Sequence, residues 1–256
     1  MERIDSYEQR FGGIARLYGE EGLACLRRAH ICVIGIGGVG SWITEALARS
    51  GIGQITLIDM DDICVTNINR QLPALSGNIG RLKTEVMAER IRLINPECEV
   101  NIIDDFISPQ NQTEYLQRNY DYVIDAIDSV KTKASLIAYC KRNKINIITI
   151  GGAGGQTDPQ QIKIADLSKS IQDPLLAKVR SVLRKDFNFT QNPKRKFGVE
   201  CVFSTQPLIF PKVKGHCEVS ATMNCANGFG AATMITATFG FFAVSKVIDK
   251  LLFNIA

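Results

Sequence analysis

The chain is predicted to be an α/β protein built on a doubly wound, mostly parallel, Rossmann-like sheet. Three observations carry that expectation. Apolar runs of strand length alternate with segments of helical spacing as far as residue 155. The first run, "ICVI" at Ile31 to Ile34, enters the glycine turn "GIGGVG", and the next, "QITLI" at Gln54 to Ile58, ends in the acidic cluster Asp59, Asp61 and Asp62. Such alternation implies helices on both faces of a parallel sheet, with ligands beyond the C-terminal strand ends.

The elements follow in order. After the glycine turn, Ser41 to Ser50 sets Ile43, Ala46 and Leu47 on one helical face. Lys83 to Ile94 repeats the spacing through Val86, Ala88, Ile91 and Ile94, and "NP" at Asn95 and Pro96 stops it. "CEVNIIDDF" (Cys98 to Phe106), "YDYVIDAID" (Tyr120 to Asp128) and "INIITIGG" (Ile145 to Gly152) read as strands, separated by helical segments at Gln112 to Arg118 and Lys131 to Asn143. Beyond Gly155 the rhythm changes. "QIKIADLSKS" reads as strand and turn, Pro174 to Phe187 as a basic amphipathic helix, "VECVFSTQPLIF" as a strand, and Lys212 to Ala226 as a polar loop before a final helix.

A length of 256 residues with 45% hydrophobic content suits one large domain. The expected division is a nucleotide-binding core over 1–155 and an extension over 156–256 that completes the same domain. Residues 1–150 carry 17 Lys and Arg against 19 Asp and Glu, whereas 151–256 carry 13 against 7. The second half is therefore the basic one, and its excess gathers between Lys178 and Lys214, which suits a solvated face or a nucleic-acid partner.

Eight cysteines occur without a C-x-x-C pair, and the N-terminal segment is polar rather than leader-like. A reducing cytoplasm is expected, and a structural zinc site is not, because its ligands usually come in close pairs. The apolar run from Gly228 to Phe253 holds three threonines between Gly230 and Val244 and is followed by Lys246 and Asp249. It reads as a buried helix, with membrane attachment as the alternative.

The glycine loop alone leaves its ligand open. Gly35, Gly37 and Gly40, with Asp59 about twenty residues on, satisfy the spacing of a dinucleotide site. The stretch between the acidic cluster and the next helix discriminates. There, Asn67, Arg70, Gln71 and Lys83 supply two cations and two amides, which suit a triphosphate whose pyrophosphate must leave.

Taken together, "GIGGVGSW", "LIDMDDICVTNINRQ", "GRLKTEVMAERIRLINP" and "DAIDS" resemble the ThiF/MoeB family of adenylating enzymes, related to ubiquitin activators, over roughly residues 8 to 155. The resemblance implies ATP and magnesium as cofactors. Gly38 would lie under the phosphates, Asp59, with Asp61 beside it, would bind the ribose, Asn67, Arg70 and Gln71 would contact phosphates, Lys83 would neutralise the leaving pyrophosphate, and Asp128 would hold the magnesium. It also implies a homodimer in which an N-terminal arginine, Arg10 or Arg16, reaches the partner's triphosphate. Plain alternatives stand beside these roles: Asp59 and Asp61 as turn caps, Arg70 as a surface ion pair, Lys83 as the start of a solvated face, Asp128 as a helix N-cap.

Further pieces, "GGAGGQTDPQQIKIADLSKSIQDPLLAKVR", "GVECVFSTQPLIFP" and "MNCANGFGAATMITATFGF", resemble the branch of that family formed by the tRNA threonylcarbamoyladenosine dehydratases. That branch implies ATP-dependent cyclisation of a threonylcarbamoyl group on the adenosine beside the anticodon. Arg180, Arg184, Lys194, Arg195 and Lys196 would then contribute to tRNA affinity. A cysteine desulfurase system is a further partner linked with the branch, and a monovalent cation near the glycine loops stays open. Cys225 is the cysteine best placed to be catalytic, against the plain reading of a small buried residue. The alternative function within the family is activation of a ubiquitin-like sulfur carrier.

Overall fold

The computed structural model describes residues 6–210 and 229–253. Helix α1 (Tyr7–Arg28) starts on a capping box, in which the Ser6 hydroxyl accepts from the Gln9 amide and the Gln9 side chain accepts from the Ser6 amide. It bends at Gly19, whose φ of 79° and ψ of 163° interrupt the helix. Seven strands follow: β1 (His30–Ile34), β2 (Gln54–Ile58), β3 (Glu99–Ile103), β4 (Tyr122–Asp125), β5 (Ile147–Ile150), β6 (Ile162–Asp166) and β7 (Glu200–Ser204). The helices between and after them are α2 (Gly40–Arg49), α3 (Lys83–Ile94), α4 (Gln112–Leu116), α5 (Val130–Arg142), α6 (Pro174–Asp186) and α7 (Thr233–Leu252).

All seven strands share one sheet in the order β3-β2-β1-β4-β5-β7-β6. Every pairing is parallel except that of β6 with β7. β2 has the bounds of its apolar run and β1 gains His30, whereas β3, β4, β5 and β7 are shorter than the runs that announce them. Cys98 to Phe106, for example, contributes only Glu99–Ile103, because Asp104 and Asp105 already belong to the solvated turn.

Period-two alternation in β1 divides the core. Ile31 and Val33 pack beneath α2, α3 and α7 with Ile43, Leu47, Met87, Ile91 and Phe239. Cys32 and Ile34 pack on the opposite face with Leu136, Ile137, Leu176 and Leu183 of α5 and α6. Each such side chain contributes about 1.5–3 kcal/mol by leaving water. Helix α7 lies against α2 so closely that a Cβ on Gly240 would stand 3.1 Å from the Ile43 nitrogen. Among the described residues no helix is long and apolar enough to cross a membrane.

Because β1, β2, β4 and β5 are parallel, the loops that follow them gather at one end of the sheet. Those loops carry Gly35 to Gly40, Asp59 to Lys83, Ala126 to Ser129 and Gly151 to Gly155.

Candidate active site

The turn after β1 needs its glycines for two separate reasons. Gly35 has φ +86°, and a Cβ there would meet the Ala126 carbonyl at 3.1 Å. Gly40 opens α2 so near the same turn that its Cβ would fall 1.7 Å from the Gly35 oxygen. The turn is tied to its neighbours, since the Gly35 amide donates to the Ile58 carbonyl at 2.9 Å. At Gly38 a Cβ would approach Thr236 of α7 at 3.3 Å and the Arg70 stem at 3.4 Å, so two distant segments meet over the loop.

Asp59, at the C-terminal end of β2, is buried. Its Oδ2 accepts from the Ile36 amide at 2.6 Å, and its Oδ1 accepts from the Asp61 amide at 2.8 Å. The turn-cap reading of Asp59 is therefore realised, and the same carboxylate holds the glycine loop in shape.

Lys83 begins α3 but does not face solvent. It is 5% exposed, and its Nζ donates to Asp61 Oδ2 at 2.6 Å. A short antiparallel clasp brings them together: the Lys83 amide donates to the Asp61 carbonyl, and the Ile63 amide to the Arg81 carbonyl. Between these strands, the Asn67 Oδ1 accepts from the Cys64 amide at 2.9 Å, which closes a 3-10 turn at Val65–Asn67. Among the described residues Arg70 has no ion-pair partner. Its Nη1 donates to the Thr66 carbonyl at 2.8 Å and to Asn69 Oδ1 at 3.0 Å. Gln71 is buried, and among the described residues its Oε1 has no hydrogen-bond partner.

Asp128 is exposed in the loop between β4 and α5, and the N-cap of α5 is Ser129, so the N-cap alternative for Asp128 does not hold. The neighbouring Ile127 side chain lies 3.1 Å from where a Gly35 Cβ would be, which places this loop against the glycine turn.

The two N-terminal arginines differ. Arg10 donates to the Leu93 and Ile94 carbonyls at 3.3 and 3.0 Å and so closes the C-terminus of α3 within the same chain. Arg16 is exposed on α1.

The structure also brings in residues that motif reading passed over. Lys133 of α5 is fully buried and donates to Asp125 Oδ2 at 2.8 Å, to the Asp125 carbonyl at 3.3 Å and to Thr149 at 3.1 Å. Thr149 in turn donates to Asp125 Oδ2 at 2.7 Å, and Asp125 Oδ1 accepts from the Ile127 amide at 3.3 Å. This network fastens the root of the Asp128 loop. Helical spacing could have found it, because Lys133, Leu136, Ile137 and Cys140 fall at i, i+3, i+4 and i+7 on the inward face of α5. Asp173 likewise caps α6 through the Leu176 amide at 2.9 Å and holds the Gly152 amide at 2.9 Å, and burial raises its carboxyl above the usual range. The start of α7 reaches over as well, where Thr233 donates to the Asn69 carbonyl at 2.6 Å.

Cys98, Cys140 and Cys201 are buried, and that burial pushes each thiol up to about 12, which suppresses the nucleophilic thiolate. Cys225, with Cys217 and His216, lies outside the described residues. His30 is the buried first residue of β1, against Thr56 at 2.9 Å, and has no place in the site.

The five cations expected to meet RNA fall into two kinds. Arg180 and Arg184 are half-buried, the first donating to the Ser170 hydroxyl and the second lying 5.2 Å over the Phe197 ring. Lys194, Arg195 and Lys196 are exposed in the loop before β7. Lys194, Arg195 and Lys196 lie in the loop that leads into β7, at the sheet end opposite the glycine loop.

Against this geometry, similarity to known proteins is extensive. The chain is 82% identical over 252 residues to the tRNA threonylcarbamoyladenosine dehydratase of Haemophilus influenzae, spanning 98% of this chain and 97% of that one. It is 61% identical over 255 residues to the protein of the same name from Escherichia coli, spanning 97% and 95%. The crystal structure of the Escherichia coli dehydratase in complex with ATP superposes with a TM-score of 0.90 at 59% identity, covering 98% of this chain and 97% of that chain. The ThiF family matches residues 11–252, a span that includes the glycine loop, the Lys83 clasp and the Asp128 loop, and the chain belongs to that family.

Proposed function

We propose that this chain dehydrates N6-threonylcarbamoyladenosine in tRNA, next to the anticodon, at the expense of ATP. The observation that carries the reading is the 82% identity, across 98% of the chain, with a relative named for that reaction.

The chemistry needs an activated carboxylate, because hydroxide is a poor leaving group. The threonyl carboxylate attacks the α-phosphorus of ATP, and pyrophosphate leaves. The ureido group of the same substituent then closes onto the acyl carbon, its proton is lost, and AMP departs with the former carboxylate oxygen. The net change is loss of one water from the nucleoside. Ring closure within one substituent benefits from high effective molarity and requires no enzyme nucleophile, which agrees with the suppressed thiols of Cys98, Cys140 and Cys201.

The residues present fit ATP. The turn at Gly35 to Gly40 leaves backbone N–H groups at the start of α2, where phosphate oxygens are favoured. Asp59 would accept from ribose hydroxyls, and the side-chain amide nitrogens of Gln71 and Asn67, with the Arg70 guanidinium, would donate to the phosphates. Lys83, held by Asp61, would carry charge toward the departing pyrophosphate. Asp128 would hold magnesium, which when bound offsets phosphate charge. We read Arg16 as the arginine that crosses to the partner site of a homodimer, because Arg10 is engaged on α3 of its own chain. Residues 1–155 and 156–256 work as one domain in this reading, in the cytoplasm.

The test is incubation with ATP, magnesium and tRNA bearing the modification, followed by nucleoside mass spectrometry and an AMP assay, with Lys83→Ala as control. Loss of one water with AMP formed only by the wild type supports the dehydratase. Adenylation of a sulfur-carrier protein in place of tRNA overturns it in favour of the alternative activator.

A further inference from the structure

Strand direction assigns an end of the molecule to every loop. Residues that follow β1, β2, β4 and β5 stand at the adenylation end, and residues that precede those strands stand at the other. Since β7 runs parallel to β5, the segment 187–199 before it also belongs to the far end. So do the C-termini of α5 and α6, which start at the adenylation end beside Asp128 and Gly152 and run away from it.

These three pieces form one continuous patch. Lys141 near the end of α5 donates to the Gly198 carbonyl at 3.2 Å, and Arg142 stands 6.0 Å over the ring of Phe187 at the end of α6. Phe189 packs edge-on to Phe197 at 5.0 Å, and Lys169 donates to the Pro193 carbonyl at 2.5 Å, which fixes the loop on the body. Exposed on this frame are Lys141 and Arg142 from α5, Lys144 from the turn after it, Lys185 from α6, and Lys194, Arg195 and Lys196 from the loop. Against them stand Asp186 and Asp121, the latter lining one hollow with Lys144 and accepting from the His30 amide at 2.8 Å, while Asp166 is occupied by the Phe197 and Gly198 amides at 2.9 and 2.7 Å. Cations in a last helical turn complement the helix dipole, but the loop trio belongs to no helix.

We propose that this patch is a second RNA-contacting surface, which holds the phosphates of the helical stem of the substrate RNA while the reacting nucleotide occupies the adenylation end. The inference rests on the tRNA reading above and adds where the RNA runs. Five residues of strand separate the two ends by about 16 Å. The RNA therefore descends the face made by α5 and α6, past the exposed Lys131 and Lys178. Contacts at such a distance position the substrate and carry no chemistry, so their loss falls on KM rather than kcat.

The experiment compares wild type, Lys141→Glu/Lys144→Glu, and Lys194→Glu/Arg195→Glu/Lys196→Glu in tRNA binding by fluorescence anisotropy between about 50 and about 200 mM salt. The slope of log affinity against log salt should become shallower by about one for each lost phosphate contact, and KM for tRNA should rise about tenfold or more. The neutral variant Lys194→Gln/Arg195→Gln/Lys196→Gln should show the same change of slope, and the melting temperatures of both loop variants should match wild type. A wild type that dehydrates tRNA, with variants whose slope and KM are unchanged, overturns the patch and leaves the reaction standing. A loss confined to kcat overturns it too. A wild type that neither binds nor dehydrates tRNA removes the reading beneath it.

Discussion

Replacing Lys133 by methionine keeps the aliphatic stem of a fully buried side chain and removes its charge. In the native protein Nζ makes three hydrogen bonds, two of them to Asp125, and neither residue has side-chain contact with water. The variant leaves the Asp125 carboxylate buried, with Thr149 at 2.7 Å and the Ile127 amide at 3.3 Å as its remaining donors. Breaking such a pair from one side costs about 3–5 kcal/mol. At about 2–4 °C per kcal/mol for a protein of this size, the melting temperature should fall by roughly 6–20 °C. The double variant Asp125→Asn/Lys133→Met should recover much of that loss, because no charge is then left unpaired. Urea denaturation of the four proteins closes the cycle. A single Lys133→Met that costs under about 1 kcal/mol, or a double variant that merely sums the singles, would refute the account of a stranded carboxylate.

Four further outcomes are expected. Lys83→Ala should lower AMP formation by about 100-fold or more while the protein stays folded, as read by a coupled pyrophosphate assay and circular dichroism. Gly40→Ala drives a Cβ to 1.7 Å from the Gly35 oxygen, so ATP binding by calorimetry should be lost. Alkylation at neutral pH, mapped by peptide mass spectrometry, should label exposed Cys64 before buried Cys32, Cys98, Cys140 and Cys201. Burial alone would raise the Glu45 carboxyl, but Arg90 and Arg49 outweigh it and hold it below its ordinary 4.5. Its stabilisation is therefore complete above about pH 5 and fades as pH falls through the lowered value, so the advantage of wild type over Glu45→Gln in urea melts should shrink on acidification.

The sheet was legible because its strands alternate with helices and each is closed by glycine, proline or a carboxylate. The glycine loop and α3 were plain for the same reason, and Lys83–Ile94 was read with its true bounds. Strand ends were overdrawn where apolar residues continue into turns, as at Phe106, which is exposed. The site was legible only as far as its motifs. Asp61 could be named from sequence, but its clasp with Lys83 depends on a loop folding back, and no periodicity encodes that. Arg10 and Arg16 share one helix and one charge, and only the carbonyls at the end of α3 separate them. The basic run before β7 was visible as composition, whereas its end of the molecule followed from the parallel pairing of β7 with β5.

The close approach of Gly240 to α2 bears on how the protein is made. The helix that opens behind the glycine loop is backed by the final helix, whose Phe239 and Ile235 complete its core, some two hundred residues later in the chain. During synthesis the side of α2 that meets Gly240 and Phe241 lacks that cover until α7 has been made, although β1 and α3 can pack on it sooner. Such non-local closure is slow, and the waiting apolar surface is open to wrong partners. The glycine loop near residue 40 is thus backed only once the helix around residue 240 has been made.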